Sequence, residues 1–384
     1  MSQFINYMKK LSNIIIFIII LIIFDFILTF FFISKFNFYE NFYPKQDHRI
    51  ANKNYHHSFK EEVDTFDYWG SYKYKFFTNS LGFKDKSNRK INKETNHKRR
   101  IIIIGDSFTE GIGFKYEDTF LGLLDNQMIN QNIEILNAGV ASQSPIIYFK
   151  KIKHLIQVKK IKFNELIVFL DISDIPDEFY YNINFDSNDI KKFSLRNYLQ
   201  EFLLQSTSTY LFFDIIFTKI NILKENLILR FKASEEFNIS FLNTNIEHMN
   251  LFKSINAERG NWTSDINLWK LYGKKGRELA DFYLNELQEI CASNKIKLSI
   301  VIYPWPIHIY YEYEPVFHRN YWKEWSKNRN IQFIDLFDYF ETEKPQKTIN
   351  NFFISGDIHW NKTGHHYIYE IMMNEYFKLD YRLN

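Results

Sequence analysis

A repeated alternation of short apolar runs and longer amphipathic stretches is the feature that most limits the fold of this chain. Residues 100–104 form an isoleucine-rich run closed by Gly105, followed by a polar turn and a helix-like stretch at 117–128. The order recurs with predicted strands at 133–136 and 166–170 and a predicted helix at 145–157 between them. Alternation of this kind predicts a parallel sheet covered by helices.

The same rhythm returns near the end of the chain. Predicted helices at 275–292 and 364–376 enclose predicted strands at 298–303 and 332–336. Between them and the first half lie Phe- and Leu-rich amphipathic stretches without an obvious strand, which favour a helical insertion. The expected fold class is therefore α/β, with a three-layer α/β/α parallel sheet. The predicted organisation is a short N-terminal tail (1–13), an anchor (14–34), a linker with a short hairpin (35–98), the first part of the sheet domain (99–181), a helical insertion (182–265) and the second part of the sheet domain (266–384).

An apolar run at residues 14–33 is interrupted only by Asp25 and Thr29. A helix of this length spans a hydrocarbon core of roughly 30 Å. Asp25 costs roughly 3 kcal/mol on an insertion scale, but each surrounding Ile, Leu or Phe returns roughly 0.3 to 0.6 kcal/mol, so insertion is favoured. No small-x-small cleavage site follows, and we predict an uncleaved, single-pass signal anchor rather than a buried soluble helix.

Basic residues flank the run on both sides. Lys9 and Lys10 precede it, whereas a larger set follows it, namely Lys35, Lys45, Arg49 and Lys53. The positive-inside count alone therefore opposes an outward-facing domain, although long domains translocate largely regardless of such charges.

The charge and cysteine content exclude several classes of protein. A net charge of +3, from 48 basic and 45 acidic residues, does not predict a nucleic-acid partner. Cys291 is the only cysteine, so neither an intrachain disulfide nor a thiolate metal cluster can form. We expect no cofactor and no metal.

Three polar residues suggest serine-based acyl transfer. Ser107 follows the first predicted sheet strand in a Gly-Asp-Ser turn, where ligands bind in open α/β folds. Asp357 and His359 stand two residues apart, just before the last predicted helix. His359 can accept the serine proton while Asp357 orients its ring. A metal pair, or a merely structural Asp and His, is the alternative.

Four segments together resemble the SGNH (GDSL-like) hydrolase family. IIIIGDSFTEGIG (101–113) looks like its first block, NAGVAS (137–142) like its second, and GDIHWNKTG (356–364) like its last; TNSLGFKD (78–85) is similar to a lead-in found in membrane-attached members that act on bacterial surface polysaccharides. The resemblance covers about residues 72–180 and 260–375. It implies a flavodoxin-like fold, a triad of Ser107, Asp357 and His359, and an oxyanion hole formed by the N–H groups of Ser107 and Gly139.

The chain departs from the family pattern at two places. Where the third block normally carries Gly-x-Asn-Asp, this chain has Asp171, Ile172, Ser173 and Asp174, so the asparagine that donates to the oxyanion is missing. Ser173 is the candidate replacement. The last block reads Asp-x-His-Trp instead of Asp-x-x-His, as in proteins of alginate acetylation, and this similarity points to O-acetyl groups of a glycan.

Other residues are candidates for substrate contacts. Trp305 ends a predicted strand at the same sheet edge, where it would stack on a sugar ring or simply pack in the core. Asp174 is a second, weaker candidate. The histidines outside the triad are expected to be structural: His308, His318, His365 and His366.

The expected function is that of a serine esterase or O-acyltransferase acting on acyl groups, chiefly acetyl, of a cell-surface glycan. The alternatives are a lipase or thioesterase for longer chains, and an inactive SGNH-fold protein that binds or assembles glycans. The expected partners are the membrane, the glycan or another acyl ester, and an acyl-donating membrane protein. We expect the catalytic domain to be extracytoplasmic, in the periplasm.

Overall fold

The computed structural model of this chain describes residues 2–36, 46–70, 72–184, 203–204, 207–311 and 317–378. The chain divides into two compact units, one formed by Met1–Lys45 with Asn188–Glu235 and the other by Gln46–Ser187 with Glu236–Asn384. We call them the helical unit and the sheet unit. The residues of the predicted triad all lie in the sheet unit.

The strands belong to the sheet unit. They are β1 (Arg49–Asn52), β2 (His56–Phe59), β3 (Asp64–Trp69), β4 (Tyr72–Thr78), β5 (Lys84–Asp85), β6 (Arg99–Ile104), β7 (Ile133–Asn137), β8 (Glu165–Leu170), β9 (Lys297–Ile302) and β10 (Gln332–Asp335).

The α-helices of the described residues occur in both units. They are α1 (Ser2–Phe36), α2 (Ser107–Glu110), α3 (Phe120–Met128), α4 (Pro145–His154), α5 (Asp174–Asn184), α6 (Ser208–Glu236), α7 (Ile246–Ile255), α8 (Ile266–Leu268), α9 (Lys274–Ser293), α10 (Pro306–Tyr310), α11 (Arg319–Asn328), α12 (Pro345–Phe352) and α13 (Lys362–Glu375).

The main sheet has the strand order β10-β9-β8-β6-β7-β5-β4-β3. Strands β6 to β10 are parallel to one another, whereas β3, β4 and β5 join antiparallel at the β7 edge. Numbered along the chain, the parallel strands have the order 2-1-3-4-5, which is that of flavodoxin-like folds. The predicted parallel α/β sheet is therefore confirmed.

Helices cover the parallel strands on both faces. The chain leaves β6 for β7 on one side and then crosses to β8 on the other, so right-handed crossovers place α3 and α4 on opposite faces. Helix α13 packs on α3, and α9 packs on α4 and α5. These contacts define the two outer layers of the predicted α/β/α arrangement.

The central strands β6 and β8 are buried on both faces, which explains their long apolar runs. All side chains at 101–104 and 166–170 are 0% exposed, because a parallel strand with helices on both faces has no solvent side. The point where the strand order reverses lies between β6 and β8. Ligands of doubly wound folds bind at the carboxyl ends of the strands at this point.

Residues 46–85 differ from the predicted linker with one short hairpin. They form the hairpin β1–β2 and three further strands that extend the sheet. In β4, alternate side chains are buried, among them Tyr74, Phe76 and Thr78, which is typical of a strand with one covered face. The lead-in motif forms the turn to β5, where Asn79 Oδ1 accepts the N–H groups of Leu81 and Phe83.

The described parts of residues 182–265 contain helices and short helical turns and no strand. Residues 185–202 and 205–206 of the predicted insertion lie outside the described residues. In the N-terminal region, Tyr7–Phe31 of α1 is long and apolar enough to span a membrane. No other helix of the described residues meets this criterion.

Candidate active site

The predicted nucleophile lies on a tight turn at the carboxyl edge of the sheet. Ser107 is the first residue of α2 and is separated from β6 by two residues, Gly105 and Asp106. At Gly105, an added Cβ would lie 2.1 Å from Thr109 Oγ1 and 2.9 Å from the Phe169 carbonyl oxygen, so only glycine fits. The Asp106 side chain accepts the Phe108 N–H at 3.0 Å and caps the helix. The turn therefore holds the half-buried Ser107 at the sheet edge.

Ser107, His359 and Asp357 form a continuous hydrogen-bonded chain. His359 Nε2 lies 2.8 Å from Ser107 Oγ, and His359 Nδ1 lies 2.6 Å from Asp357 Oδ1. Both distances are within hydrogen-bond range. The structure thus brings the three predicted residues together in the order nucleophile, base and orienting carboxylate.

The loop that carries the histidine and the aspartate is fixed by its own backbone. The Ile354 N–H donates to the His359 carbonyl at 2.8 Å, and the Asp357 N–H donates to the Ile354 carbonyl at 3.0 Å. Gly356 has φ +78°, a conformation that favours glycine. At the end of the loop, the Asn361 side chain caps α13 by accepting the Gly364 N–H. The ring of His359 consequently has a defined direction.

Trp69, at the end of β3, contacts the triad from outside the predicted motifs. Its indole N–H donates to Asp357 Oδ2 at 2.6 Å, and its ring meets the His359 ring edge-on with centroids 5.2 Å apart. Sequence reasoning missed this residue because it placed the whole segment in a linker. A tryptophan closing an aromatic, alternating stretch was the available signal.

The protonation state of Asp357 suits its position. Burial raises the pKa of this carboxyl, but the hydrogen bond and charge of His359, together with the Trp69 N–H, outweigh burial and lower the pKa to about 2. The carboxylate is therefore ionised at neutral pH and can stabilise a protonated His359.

The predicted oxyanion donor Gly139 is already engaged. Its N–H donates to Asn137 Oδ1 at 2.9 Å. A Cβ at this position would lie 2.7 Å from Glu110 N and from Thr109 Cβ, so the glycine allows the loop to pack against α2. The assignment of Gly139 as an oxyanion donor is corrected accordingly.

Ser142, three residues further along the same loop, is better placed for that role. Its φ of 63° is in the left-handed region, which serine seldom adopts. Within the described part of the chain, neither its N–H nor that of Ser107 donates a hydrogen bond. The peptide group that carries the Ser142 N–H is held through its carbonyl, since Ala141 O lies 2.9 Å from His57 Nε2, and the Ser142 carbonyl accepts the Tyr181 hydroxyl at 2.6 Å. These two N–H groups lie on the loops that follow β6 and β7.

Ser173, the candidate third donor, is 2% exposed. Its N–H donates to Asp171 Oδ1 at 2.6 Å. The Ser173 hydroxyl makes no hydrogen bond to the residues that the structure describes. The hydroxyl, and not the N–H, is therefore the group of Ser173 that is available to donate a hydrogen bond.

A cluster of buried carboxyl groups lies beneath the nucleophile. Burial and the nearby charge of Asp171 raise the pKa of Asp106 well above its usual value. Burial and the charges of Asp106 and Asp171 do the same for Asp174. The Ser107 hydroxyl is within donating distance of Asp106 Oδ2, at 3.1 Å, as well as of His359 Nε2.

The two predicted substrate contacts are not accessible. Trp305 is 1% exposed, and its indole N–H donates to Asp171 Oδ2 at 2.9 Å. Asp174 is 0% exposed and accepts the Tyr148 hydroxyl at 3.0 Å. Both side chains are part of the packed floor of the site, so their assignment to substrate binding is corrected.

The N-terminal strands also support the loop of Ser142. Arg49 on β1 pairs with buried Glu110 at 2.5 Å and with Asp67 at 2.8 Å. Glu110 Oε2 in turn accepts the Ala141 N–H at 2.8 Å, and His57 Nε2 lies 2.9 Å from the Ala141 carbonyl oxygen. These contacts link β1 and β2 directly to the proposed oxyanion donor.

The described residues contain no group of three or more His, Cys, Asp or Glu side chains that could hold a metal ion. Two of the buried histidines outside the triad, His308 and His365, have hydrogen-bond partners among the described residues. His308, for example, lies with Nε2 3.1 Å from Thr263 Oγ1, and burial lowers its pKa to about 3.

Comparisons with known proteins give weak likenesses only. No family model matches the chain, and no curated protein matches it. Among solved structures, a psychrotrophic esterase from Pseudoalteromonas sp. is 10% identical with a TM-score of 0.38, covering 73% of this chain and 98% of its own. A GDSL-like lipase from Bacteroides thetaiotaomicron is 8% identical with a TM-score of 0.35, covering 75% and 90%. A lipase/acylhydrolase from Enterococcus faecalis is 12% identical with a TM-score of 0.34, covering 72% and 94%.

Proposed function

We propose that this chain is a serine esterase or O-acyltransferase of the SGNH type that forms an acyl-Ser107 intermediate. The observation that carries the proposal is the hydrogen-bonded chain from Ser107 Oγ through His359 to Asp357, with distances of 2.8 and 2.6 Å. The same three residues stand in the motifs that resemble the family.

In the first half of the reaction, Ser107 Oγ attacks the acyl carbonyl carbon and its proton passes to His359 Nε2. Asp357 stabilises the resulting imidazolium through Nδ1. The tetrahedral oxyanion receives hydrogen bonds from the N–H groups of Ser107 and Ser142, with the Ser173 hydroxyl as a third donor. His359 then returns the proton to the leaving alcohol, and the acyl group remains on Ser107.

The second half transfers the acyl group to an acceptor hydroxyl. His359 takes the proton of a water molecule or of a sugar hydroxyl, and the new oxygen attacks the acyl-Ser107 ester. Collapse of the second tetrahedral intermediate releases an acid or a new ester and returns the proton to Ser107. Hydrolysis and transfer use the same residues and differ only in the acceptor.

The proposed substrate is an acetyl ester of a cell-surface glycan. Its support is the resemblance of the Asp-x-His-Trp segment to proteins of alginate acetylation, and of TNSLGFKD to membrane-attached members that act on bacterial surface polysaccharides. The apolar helix Tyr7–Phe31 supports attachment to a membrane. We place the sheet unit on the extracytoplasmic side, where such a glycan and an acyl-donating membrane protein would meet it.

The test is hydrolysis of an aryl acetate by the full chain in detergent micelles. Ser107→Ala and His359→Ala should each lower kcat by on the order of 10⁴-fold, because members of one catalytic unit fail together. His366→Ala is the matched control, because His366 is an exposed histidine on α13 that pairs with Glu370. It should retain the wild-type rate.

A phosphonate probe that traps nucleophilic serines covers the case of a demanding acceptor. The wild type should be labelled at Ser107 and Ser107→Ala should not be. A wild type that neither hydrolyses the ester nor takes the label would refute the proposal and favour a glycan-binding protein. Faster turnover of long-chain than of acetyl esters would favour a lipase or thioesterase.

A further inference from the structure

Within the helical unit, the start of α6 contacts α1 through polar groups. Asp25 Oδ1 accepts the Ser208 hydroxyl at 2.8 Å and the Thr209 N–H at 3.0 Å. The Ser208 N–H donates to Thr29 Oγ1 at 2.5 Å. The two polar residues that interrupt the apolar run of the anchor are thus both used by the N-terminal turn of α6.

These contacts fix the depth at which α6 begins. Asp25 lies six residues before the end of Tyr7–Phe31, the stretch that is long and apolar enough to span a membrane. At 1.5 Å per residue, six residues correspond to about 9 Å along the helix axis. The first turn of α6 therefore meets the anchor inside its apolar stretch.

The remainder of α6 exposes large apolar side chains. Phe213, Phe217, Ile220, Leu227 and Phe231 follow one another at helical spacing, and each is more than 50% exposed. A polar stripe lies one residue further along and includes Asp214, Thr218, Asn221, Glu225 and Lys232. Beyond it, Ile215, Ile222 and Leu229 form another apolar row, so the polar stripe is narrow.

Every residue from 217 to 228 is exposed, on all sides of the helix axis. A protein partner would cover one side of such a helix, whereas lipid surrounds it. Lys219 and Lys224 can extend their charged ends toward the headgroups while their stems remain in apolar surroundings.

We propose that α6 is a second membrane-embedded helix, whose apolar rows contact the acyl chains of the bilayer and whose N-terminal turn satisfies the Asp25 carboxyl of the anchor. Two helices, α1 and α6, then attach this chain to the membrane. Asp25 and Thr29 hold the helices together as interhelical polar groups do in membrane proteins. This inference is independent of the chemistry at Ser107.

The test uses the full chain in phosphatidylcholine vesicles with a single nitroxide label. Cys291 is 1% exposed, so a cysteine introduced elsewhere is labelled selectively, and reaction at Cys291 reports misfolding. Labels are placed at Phe217→Cys and Leu223→Cys. Phe282→Cys is the matched control, since Phe282 is also a phenylalanine more than half exposed (55%) and lies on a helix of the sheet unit.

Collisions with oxygen and with a water-soluble nickel chelate then distinguish the surroundings of each label. In the proposed arrangement, oxygen relaxes the labels on α6 at least threefold more than the chelate does, and the order is reversed at Phe282→Cys. If the chelate relaxes both labels on α6, the helix lies in water and the proposal is wrong. If neither oxygen nor the chelate relaxes them, a protein partner covers α6 and the proposal is also wrong.

A cross-link tests the anchor contact separately. Thr29→Cys with Ser208→Cys should form an intrachain disulfide in vesicles, because the two hydroxyl oxygens lie 3.0 Å apart. Thr29→Cys with Leu223→Cys should not. Absence of the first link, or equal yields of both, would show that α6 does not begin at Asp25.

Discussion

The parallel strands β6–β10 and the N-terminal strands β1–β5 belong to one unit, but their sequence patterns differ. The pattern of the parallel strands predicts a strand much more clearly than that of the N-terminal strands. The central parallel strands are buried on both faces, and their apolar runs predict them directly. The N-terminal strands have one covered face, so lysine and aspartate alternate with tyrosine and phenylalanine. The parallel strands position the reacting groups, whereas the N-terminal strands hold those groups in place through Trp69, His57 and Arg49.

The largest expected effect concerns the triad itself. Asp357→Asn keeps the shape of the side chain but removes the charge that stabilises protonated His359. We expect kcat on an aryl acetate to fall by on the order of 10⁴-fold. A fall of less than tenfold would mean that His359 works without this carboxylate.

Arg49→Met tests whether the N-terminal strands stabilise the site. Glu110 is 0% exposed and Arg49 is 25% exposed, so the substitution leaves a buried carboxylate without its partner. We expect the free energy of unfolding to fall by about 2 to 4 kcal/mol, measured by denaturant titration in micelles. The control is Lys115→Met, at a long, exposed ion pair with Asp118, which should change stability by less than ~1 kcal/mol.

Trp69→Phe tests whether these strands also assist the chemistry. The substitution keeps an aromatic ring beside His359 but removes the hydrogen bond to Asp357. Hydrogen bonds to charged groups contribute about 1.5 to 3 kcal/mol, so we expect kcat to fall by roughly 10- to 150-fold. Trp325→Phe is the matched control, because the buried Trp325 indole N–H has no hydrogen-bond partner among the described residues. An equal loss in both variants would assign the effect to packing.

The Trp69 contact also has a pH signature. Because the pKa of Asp357 is lowered from 3.8 to about 2, its carboxylate contributes stability above pH 3.8 that is lost as the pH falls toward 2. Removing the Trp69 N–H raises this pKa and should reduce the acid-dependent loss of stability. A loss between pH 4 and pH 2 that is identical in wild type and Trp69→Phe would contradict the contact.

Ser142→Gly has the smallest expected effect. Because Ser142 adopts φ 63°, a glycine relieves a left-handed strain and should raise the free energy of unfolding by about 0.5 to 1 kcal/mol. Ser142→Ala retains the Cβ and should not stabilise. If both variants behave alike, the strain at this position is not significant.

Sequence reasoning predicted the parallel sheet and the three residues that the structure joins into a triad. Both rest on local patterns, namely apolar runs and short motifs beside strand ends. It did not predict Trp69, since a hydrogen bond across 288 positions to Asp357 leaves no periodic signal. It assigned the oxyanion role to Gly139 through the resemblance of NAGVAS to the second block of the family, and the structure uses that glycine for packing instead.

The misplaced substrate contacts have a similar cause. Trp305 follows a strand at the correct sheet edge, but sequence position does not specify which way a side chain points. The buried Asp171 carboxylate that accepts its indole N–H draws the ring into the floor of the site. Whether a side chain at the carboxyl edge of the sheet is exposed therefore depends on its tertiary contacts and not on the sequence motif.

The 252 positions between Ser107 and His359 have a consequence for the biosynthesis of this protein. At a synthesis rate of about 5 to 20 residues per second, the serine emerges from the ribosome roughly 13 to 50 seconds before the histidine that activates it. A nascent chain, or one truncated before His359, has Ser107 without its hydrogen-bond partner. In the proposed mechanism, esters encountered before His359 is synthesised are therefore spared.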